Sequence, residues 1–408
     1  MKVIITGANF GNKGAQSMLF TTVAFLRRNY PNAKIFFAHG SKTPVLKENF
    51  LFDEVYFYNN LIDFPFGQKK VTPPPESIKD VSWYSPQETL DAIKDADLVI
   101  DISGFALGSK WGKGAASRFL NKIRVMRAFN IPIILLPQSF GPFDFKNDQE
   151  AIDARLKDAM PYPVKIFARE YDGFLPLRDK YGLENVLLHP DLVLSSPPLK
   201  ASDIYKVPPK ISVPKVLNAS CVGVVPNLRS FDRPGVSPWR TLQVYYEIIN
   251  FLLKEGKIVY LFRHSVEDIK PCRWLKSLFA EDGRVVLLEN NFSCFEYDAV
   301  CRQFDFLIVG RFHGIVHAYR NNIPCLLMGW AVKYKELAQL MYQSQYIFDL
   351  AAPSVDVRKI FSAIRDMEDN LTLNKKILRE RLAQVQESGS CFSAVTEVLD
   401  KVAGRLSK

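Results

Sequence analysis

Short apolar runs alternate with amphipathic segments along most of the chain. The runs occupy residues 2–6, 33–38, 96–102, 131–137, 164–169, 185–190, 219–226, 257–262, 283–288, 305–310 and 323–328. Between them, segments such as GAQSMLFTTVAFLRRN carry apolar residues at helical spacing. Continuously apolar strands separated by helices are typical of parallel sheets that are covered on both faces. The pattern therefore predicts an α/β protein built from Rossmann-like units.

A proline-rich segment interrupts this alternation in the middle of the chain. Residues 196–216 contain five prolines, which disfavour helices and central strands. We interpret this segment as a linker between two domains. The predicted organisation is an N-terminal Rossmann-like domain over 1–195, a C-terminal Rossmann-like domain over 217–350, and a charged helical segment over 351–408 that is expected to return to the first domain.

Composition and charge narrow the class of protein and its partners. Of the 408 residues, 48% are hydrophobic and 24% are charged, as in globular proteins with sizeable cores. There is no stretch of about 18 uncharged apolar residues, and the chain begins directly with a strand-like run, so a cytoplasmic location is expected. The net charge of +10 favours anionic partners. Because the basic residues are scattered, phosphorylated substrates or an anionic inner membrane surface suit this charge better than nucleic acid does.

Glycine-rich loops follow three predicted strands of the first half. Ligand clefts in such folds form at the carboxyl ends of parallel strands, so these loops are candidates for substrate contact. In the first loop, GANFGNKG, a helix is expected to begin near Ala15, directly after the last glycine. An ordinary surface turn stays an alternative for each loop. The candidate residues in the three loops are Asn9, Gly11, Asn12, Gly104 and Gln138.

A buried arginine is predicted at the end of another strand. FARE ends an apolar run with Arg169, and HPDLVL places Asp191 after the next run. A cation at such a position requires an anionic partner, because an unpaired buried charge is costly. Either the partner is a carboxylate or phosphate of a ligand, or Arg169 forms a structural ion pair with Glu170 or Asp191.

Cationic side chains also follow several strands of the second half. VVPNLRSFDRPG carries Asn227, Arg229 and Arg233, and LFRHS carries Arg263 and His264. Arginines at successive strand ends predict a cationic floor for a cleft between the domains.

The segment GRFHGIVHAY holds the densest group of candidate chemistry. Arg311 and His313 leave the end of a buried strand, and His317 lies one helical turn beyond His313. A guanidinium binds a carboxylate or phosphate through two parallel hydrogen bonds, and an adjacent histidine transfers protons near neutral pH. The two histidines lack a third ligand at a metal-binding spacing, so no metal site is expected.

These motifs, in this order, resemble the polysaccharide pyruvyl transferase family. The resemblance rests on GANFGNKGAQSML, DISGFALG, PQSFGPF, FARE, HPDLVL and, most specifically, GRFHGIVHAYRNNIPCLLMGWAVKY, and it spans most of residues 1–345. It implies a two-lobed, glycosyltransferase-B-like (GT-B-like) fold in which two Rossmann-like domains face each other. It also implies transfer of pyruvate from phosphoenolpyruvate to two hydroxyls of a sugar in a surface polysaccharide precursor, such as that of a capsule or exopolysaccharide. The products would be a cyclic ketal and phosphate.

The resemblance also assigns roles to residues. It places the donor-binding and catalytic Arg-x-His element on Arg311, Phe312 and His313, and a second donor arginine on Arg229, with Arg233 and Arg263 as alternatives. The predicted donor site comprises Asn227, Arg229, His264, Gly310, Arg311, Phe312, His313 and His317. The predicted acceptor site, on the N-terminal domain, comprises Asn9, Gly11, Asn12, Gly104, Gln138, Arg169 and Asp191.

Substrates and alternatives follow from the same resemblance. Phosphoenolpyruvate is expected as the donor substrate, with no cofactor, and a saccharide as the acceptor. The sequence leaves open whether the acceptor is linked to a lipid pyrophosphate and whether the protein contacts the inner membrane surface. Two other functions stay compatible with it: a GT-B-type glycosyltransferase that uses a nucleotide sugar, and a non-catalytic family member that binds an anionic glycan.

Overall fold

Two parallel β-sheets, each flanked by helices, form the two halves of the chain. The structure is a computed structural model that describes residues 1–40, 46, 49–56, 93–216, 220–232, 237–329, 331–350, 352 and 354–406. Within these residues the first sheet has seven strands and the second has six. The strands of each sheet pair in parallel with their neighbours.

The N-terminal half contains the larger sheet, with strand order β3-β2-β1-β4-β5-β6-β7. Its strands are β1 Lys2–Thr6, β2 Lys34–His39, β3 Asp53–Tyr56, β4 Leu98–Asp101, β5 Ile133–Gln138, β6 Lys165–Ala168 and β7 Val186–Leu188. Its helices are α1 Lys13–Asn29, α2 Gly112–Ala128, α3 Gln149–Ala159, α4 Tyr171–Leu175 and α5 Leu192–Ser195.

The C-terminal half has strand order β10-β9-β8-β11-β12-β13. Its strands are β8 Cys221–Val225, β9 Ile258–Leu261, β10 Val285–Leu287, β11 Leu307–Val309, β12 Cys325–Gly329 and β13 Ile347–Asp349. Its helices are α6 Pro238–Lys254, α7 Ile269–Ser277, α8 Cys294–Cys301, α9 Phe312–Arg320 and α10 Val332–Leu340, and the C-terminal segment adds α11 Val357–Asp369, α12 Leu371–Glu387 and α13 Ser393–Leu406. Over the described residues, no helix is both long enough and apolar enough to cross a membrane.

The order of strands reverses once in each sheet. In the first sheet the chain runs outward from β1 to β3 and then restarts on the other side of β1 with β4, and β8 and β11 mark the same reversal in the second. Loops that leave two such neighbouring strands diverge to opposite faces of the sheet, and the crevice between them is the common ligand position in this kind of fold. The architecture therefore provides one crevice in each half, at the carboxyl ends of the strands.

The predicted α/β class, with two Rossmann-like halves and a helical C-terminal segment, is confirmed. Strands β3 and β13 were absent from the prediction, and both lie at an edge of their sheet. β3 begins with two acidic residues, and β13 is three residues long and not fully buried. Edge strands tolerate charge and short length because they pair on one side only, so they lack the apolar run that marks a central strand. The proline-rich segment lies between β7 and β8, and the domain boundaries at 195, 216 and 350 stay predictions.

The C-terminal helices return to the first half. Phe392 stacks on Phe25 of α1, with ring centroids 4.1 Å apart and planes inclined by 5°. The hydroxyl of Tyr30 donates to Oδ1 of Asp400 at 2.8 Å. The last helix therefore anchors the end of the chain on the N-terminal domain, as the sequence analysis expected.

Helix α1 carries buried polar contacts from the first half into the second. Oγ of Ser17 lies 2.9 Å from Nε2 of His317, whose Nδ1 lies 2.6 Å from Oδ1 of Asp298. Nζ of Lys13 donates to Oδ1 of Asn291 at 2.7 Å. Burial lowers the pKa of this lysine to about 8. Satisfied buried networks of this kind fix one relative orientation of the elements that they join.

Gly14 lets α1 approach the second half closely. The helix begins at Lys13, before the position near Ala15 that the sequence suggested, so Gly14 belongs to its first turn. A Cβ at this position would overlap the ring of His313 in α9. The glycine thus makes room for a side chain from the other half.

We expect Gly14→Ala to lower the free energy of unfolding by about 1–3 kcal/mol, because the new methyl group must displace His313 or tilt α1. Gly404→Ala is the matched control, since this helical glycine in α13 has open space around it. The control should be neutral or stabilising by up to about 1 kcal/mol. Denaturant unfolding of both variants measures the difference, and equal unfolding free energies would contradict the close contact.

Candidate active site

A cavity of about 540 Å³ lies between the two halves. Its position matches the reversal of strand order in the second sheet, because Asn227 follows β8 and Arg311 follows β11. The first half contributes Asn12, Phe105, Lys110 and Trp111 to the lining. The second half contributes Asn227, Arg229, Asp232, His264, Arg311, Phe312, His313, Lys333 and Tyr334.

Arg311 is held by a buried carboxylate. Its Nε donates to Oδ2 of Asp268 at 2.8 Å, and its Nη2 donates to Oδ1 at 2.6 Å. Asp268 is 0% exposed and also accepts from the backbone N–H of Leu228 and of Ser265. One carboxylate therefore joins the loops that follow β8, β9 and β11. Burial alone would lower the pKa of Arg311, but Asp268 and Glu267 raise it above its ordinary value.

A second carboxylate places another arginine beside the first. Oε1 of Glu267 accepts from Nη2 of Arg311 at 2.5 Å, and Oε2 accepts from Nη2 of Arg229 at 2.8 Å. Asp232 accepts from Nη1 of Arg229 at 2.7 Å. Burial alone would raise the pKa of Glu267, but the two arginines lower it below its usual range. The two guanidinium groups are thus oriented by acids at one side of the cavity.

His313, in the second half, lies next to Asp191 of the first half. Its Nε2 lies 3.3 Å from Oδ2 of Asp191, within ion-pairing distance but outside hydrogen-bond geometry. Burial lowers the pKa of His313 despite the opposing effect of Asp191. The pKa of Asp191 is itself lowered, because His313 and Arg169 outweigh its burial. The site therefore places an imidazole whose pKa is lowered next to a carboxylate whose pKa is lowered.

The structure shows the ion-pair alternative for Arg169. Its Nε donates to Oε1 of Glu170 and its Nη1 donates to Oδ2 of Asp191, both at 2.8 Å. Its guanidinium carbon lies 4.1 Å from the ring centroid of Phe312. Arg169 thus holds Asp191 against His313 and supports the aromatic residue between Arg311 and His313. Its predicted contact with an acceptor stays a prediction.

Lys333 is surrounded by aromatic rings in the same cavity. Its Nζ lies 5.2, 5.4 and 5.9 Å from the ring centroids of Phe105, Phe312 and Tyr334. Burial lowers the pKa of Lys333 to about 7, and the nearby charge of Arg169 contributes. At neutral pH its charge therefore depends on what occupies the cavity.

Of the remaining predicted donor residues, some line the cavity and others support it. Nδ2 of Asn227 donates to the carbonyl of Gly310 at 2.9 Å, which joins the loops after β8 and β11. His264 lines the cavity, and its two ring nitrogens have no hydrogen-bond partner in the described chain. Burial, followed by the charge of His317, lowers the pKa of His264 well below its ordinary value. His317 packs behind this ring, between Ser17 and Asp298, with the two imidazole centroids 5.7 Å apart.

Of Arg229 and Arg263, the two alternative donor arginines within the described residues, Arg229 lines the cavity. Arg263 donates instead to the backbone carbonyls of Asn290 and Glu289. Arg233 lies outside the described residues.

The predicted acceptor residues of the first loop form hydrogen bonds within the loop, with the start of α1 and with the second half. Oδ1 of Asn12 accepts from the N–H of Gly14 at 2.9 Å and caps α1, while Asn12 also lines the cavity. Oδ1 of Asn9 accepts from the N–H of Asn12. The carbonyl of Gly11 accepts from the N–H of Val266 at 2.9 Å, which joins the two halves.

Gln138 and Gly104 lie deeper in the first half. Nε2 of Gln138 donates to Oδ1 of Asp101 at 3.0 Å, and the side chain is 0% exposed. The carbonyl of Gly104 accepts from the N–H of Ser139 at 2.8 Å. Acceptor binding by either residue stays a prediction.

The cavity is also shaped by residues that the sequence did not mark as candidates, among them Glu267, Asp268, Lys333 and Tyr334. A signal existed for Asp268, because Ser265 and Asp268 form a capping box at the start of a helical turn. Lys333 follows β12, which is the same strand-end position that marked the other candidates. Glu267 carried no comparable signal, since only the fold brings it between two arginines.

Solved structures with the same architecture come from two enzyme groups. UDP-GlcNAc 2-epimerase from Neisseria meningitidis, bound to UDP-GlcNAc, is similar over 100% of both chains, with a TM-score of 0.54 and 11% identity. UDP-GlcNAc 2-epimerase from Methanocaldococcus jannaschii covers 90% of this chain and 92% of its own, with a TM-score of 0.51 and 10% identity. UGT71G1 from Medicago truncatula, complexed with UDP-glucose, covers 100% and 98%, with a TM-score of 0.53 and 12% identity. At these identities the likeness shows the fold alone, which is the GT-B fold.

The sequence comparison identifies the family. No curated protein matches the chain by sequence. The family model described as polysaccharide pyruvyl transferase matches residues 12–331, which include most of the cavity lining. Because this match spans well over half of the 408 residues, the chain belongs to the polysaccharide pyruvyl transferase family.

Proposed function

We propose that the protein transfers pyruvate from phosphoenolpyruvate to two hydroxyls of a saccharide and releases phosphate. The observation that carries this proposal is the placement of Arg311, His313 and Lys333 around one cavity between the halves. Phosphoenolpyruvate has about three negative charges near neutral pH, since the second pKa of a phosphate lies near 6. A cavity with several cations and a neutral imidazole suits such a trianion and the proton transfers that its reaction needs.

The arginines are oriented before a substrate binds. Nε and Nη2 of Arg311 are occupied by Asp268 and Glu267, whereas its Nη1 has no hydrogen-bond partner among the residues that the structure describes. A guanidinium has five N–H donors, so the acids fix the group and leave donors for an anion. Arg229, held next to it through Glu267, provides a second cation for the other anionic group of the donor.

The proposed reaction balances without a further reagent. One sugar hydroxyl adds to C2 of phosphoenolpyruvate while the methylene carbon takes up a proton and becomes a methyl group. The bond between C2 and the phosphate oxygen then breaks, and the second hydroxyl adds to C2 to close the ketal. Two C–O bonds form and one breaks, and the two hydroxyl protons end on the methyl group and on the phosphate.

His313 is the group suited to the first proton transfer. Burial lowers the pKa of His313, which favours the neutral imidazole that accepts the proton of the attacking hydroxyl. The imidazolium then formed lies 3.3 Å from the carboxylate of Asp191, which stabilises it. The same proton is available for the methylene carbon.

Lys333 supplies a charge that responds to the donor. A trianion in the cavity raises the pKa of a nearby lysine because it favours the charged form. With a pKa of about 7 in the free protein, Lys333 becomes fully protonated when the donor binds. Its ring contacts keep the ammonium group close to Phe312 in the absence of ligand.

The family and the charge support a proposal for the acceptor and the location. We propose a precursor of a surface polysaccharide, such as a capsule or exopolysaccharide, as the acceptor. Reaction on the cytoplasmic side, with contact to the anionic inner membrane surface, agrees with the net charge of +10.

Phosphoenolpyruvate should raise the melting temperature of the protein, and UDP at the same concentration should not, because the cavity is proposed to fit a compact trianion. Arg229→Gln should reduce the shift, while Arg263→Gln, outside the cavity lining, should retain it. Phosphate release from phosphoenolpyruvate across free and lipid-pyrophosphate-linked saccharides then tests turnover. Stabilisation by UDP alone would contradict the proposed donor, and phosphoenolpyruvate binding without phosphate release on any acceptor would support a non-catalytic family member.

Replacing His313 should affect turnover more than donor binding. His313→Ala should lower kcat about 10²–10⁴-fold, because a positioned acid–base group is lost, with the KM for phosphoenolpyruvate within about threefold of the wild type. His313→Gln fills the site without transferring protons and should lose as much activity. A kcat within about threefold of the wild type for either variant would remove His313 from the chemistry.

Donor capture should weaken on the alkaline side because Lys333 loses its proton. With a pKa of about 7 in the free protein, kcat/KM for phosphoenolpyruvate should fall above that pH by about tenfold per pH unit. Lys333→Arg keeps the charge at all these pH values and should flatten the alkaline limb, whereas Lys333→Ala should be low throughout. Profiles between about pH 6 and 9 measure this, and an unchanged alkaline limb in Lys333→Arg would contradict the assignment.

A further inference from the structure

The first half contains a second cavity that the donor chemistry does not use. Its volume is about 500 Å³, within the range of small-molecule sites. Gly7 follows β1 and Ser103 follows β4, so the cavity lies at the reversal of strand order in the first sheet. Arg118 and Lys122 of α2 form its other side.

The two cavities occupy equivalent places in their domains and touch each other. Each lies between the two strands where the order of its sheet reverses, which is where ligands bind in open α/β sheets. Phe105 and Trp111 line both cavities, and their ring centroids are 5.8 Å apart. These two rings therefore form the boundary between the two cavities.

The boundary between the cavities is aromatic and accessible. The side chain of Trp111 is 52% exposed although it is a large apolar ring. It meets Phe105 in an edge arrangement, with planes inclined by 67°. Flat apolar rings with a polar edge suit the apolar face of a sugar ring, whose hydroxyls then stay free for hydrogen bonds.

The charges around the second cavity leave one cation uncompensated. Lys122 is paired with the buried carboxylate of Asp101, and its Nζ lies 4.9 Å from the ring centroid of Phe119. Arg118, four residues earlier on the same face of α2, is exposed at the mouth of the cavity and has no acidic partner among the residues that the structure describes. A guanidinium at the wall of a cavity is well suited to bind a phosphate or a carboxylate.

We propose that this second cavity binds an anionic saccharide as the acceptor. The sugar ring lies against Trp111 and Phe105, and its phosphate or carboxylate group pairs with Arg118. With the anion held there, the hydroxyls at the other end of the sugar face the donor cavity. The identification of this ligand as the acceptor rests on the proposed function, while the binding of an anionic sugar at Arg118 does not.

The test is a binding measurement with matched sugars. Galactose, glucose and mannose are each offered as the neutral methyl glycoside, the 1-phosphate and the uronate, by titration calorimetry without phosphoenolpyruvate, so that no transfer occurs during the titration. We expect at least one anionic sugar to bind at least about tenfold more tightly than its methyl glycoside. If a 1-phosphate binds most tightly, the acceptor is phosphate-linked. If a uronate binds most tightly, the acceptor is an acidic sugar.

Substitutions at Arg118 and Trp111 test whether the sugar binds in this cavity. Arg118→Gln should weaken the anionic sugar about tenfold and remove its advantage over the neutral one, whereas Arg118→Lys should retain part of it. Trp111→Ala should weaken the anionic and the neutral sugar alike. Arg178→Gln, which replaces an exposed arginine paired with Asp179, is the matched control and should change nothing.

The outcomes separate the two proposals. Anionic sugars that bind no more tightly than neutral ones, or that bind equally well to Arg118→Gln, would overturn the second site. Absence of phosphoenolpyruvate binding to the wild type would instead overturn the proposed function, and the dependence on Arg118 would still be readable without the donor. Because Arg118 lies outside the donor cavity, Arg118→Gln should leave the affinity for phosphoenolpyruvate unchanged.

Discussion

The cavity between the two halves depends on the buried ion pair between Arg311 and Asp268. Asp268 is 0% exposed and accepts from three separate loops, through the N–H of Leu228, the N–H of Ser265 and the guanidinium of Arg311. Removing one partner of such a pair typically costs about 3–5 kcal/mol, because the other charge stays buried alone. The pair therefore sets the positions of three strand-end loops at once. Glu267 then extends this order to Arg229 at the edge of the cavity.

The histidine depends on both halves of the molecule. His313 belongs to α9 of the second half, yet the first half supplies the carboxylate of Asp191 next to it and the space at Gly14 beside it. Arg169 partly neutralises Asp191 and lies over the ring of Phe312. It therefore connects the first half to the Arg-x-His segment of the second. The acid–base properties of His313 therefore depend on both domains. A movement of one half relative to the other would change them.

The two reversals of strand order explain why a two-substrate reaction suits this fold. Each reversal opens one crevice, and the facing arrangement of the halves brings the crevices together at Phe105 and Trp111. The crevice of the second half is lined by the guanidinium groups of Arg229 and Arg311, which suit the small and highly charged donor proposed above. The crevice of the first half combines aromatic rings with Lys122, which is paired with Asp101, and with Arg118, which suits the anionic sugar proposed to bind there. Lys333 lies at this boundary, with its Nζ 5.2 Å from the ring centroid of Phe105 and its pKa lowered to about 7 by burial.

The sequence by itself determined the α/β class, the parallel sheets and the strand ends that carry Asn227, Arg229, Arg311 and His313. These features are local, because an apolar strand and the polar residue that follows it are adjacent in the chain. The sequence could not decide between a ligand and an ion pair for Arg169, nor show that His317 packs against Ser17, because those partners are distant in the chain. The edge strands β3 and β13 and the joining role of Asp268 were likewise decided by the tertiary structure. Burial and pairing depend on which elements the fold brings together, and only the folded chain contains that information.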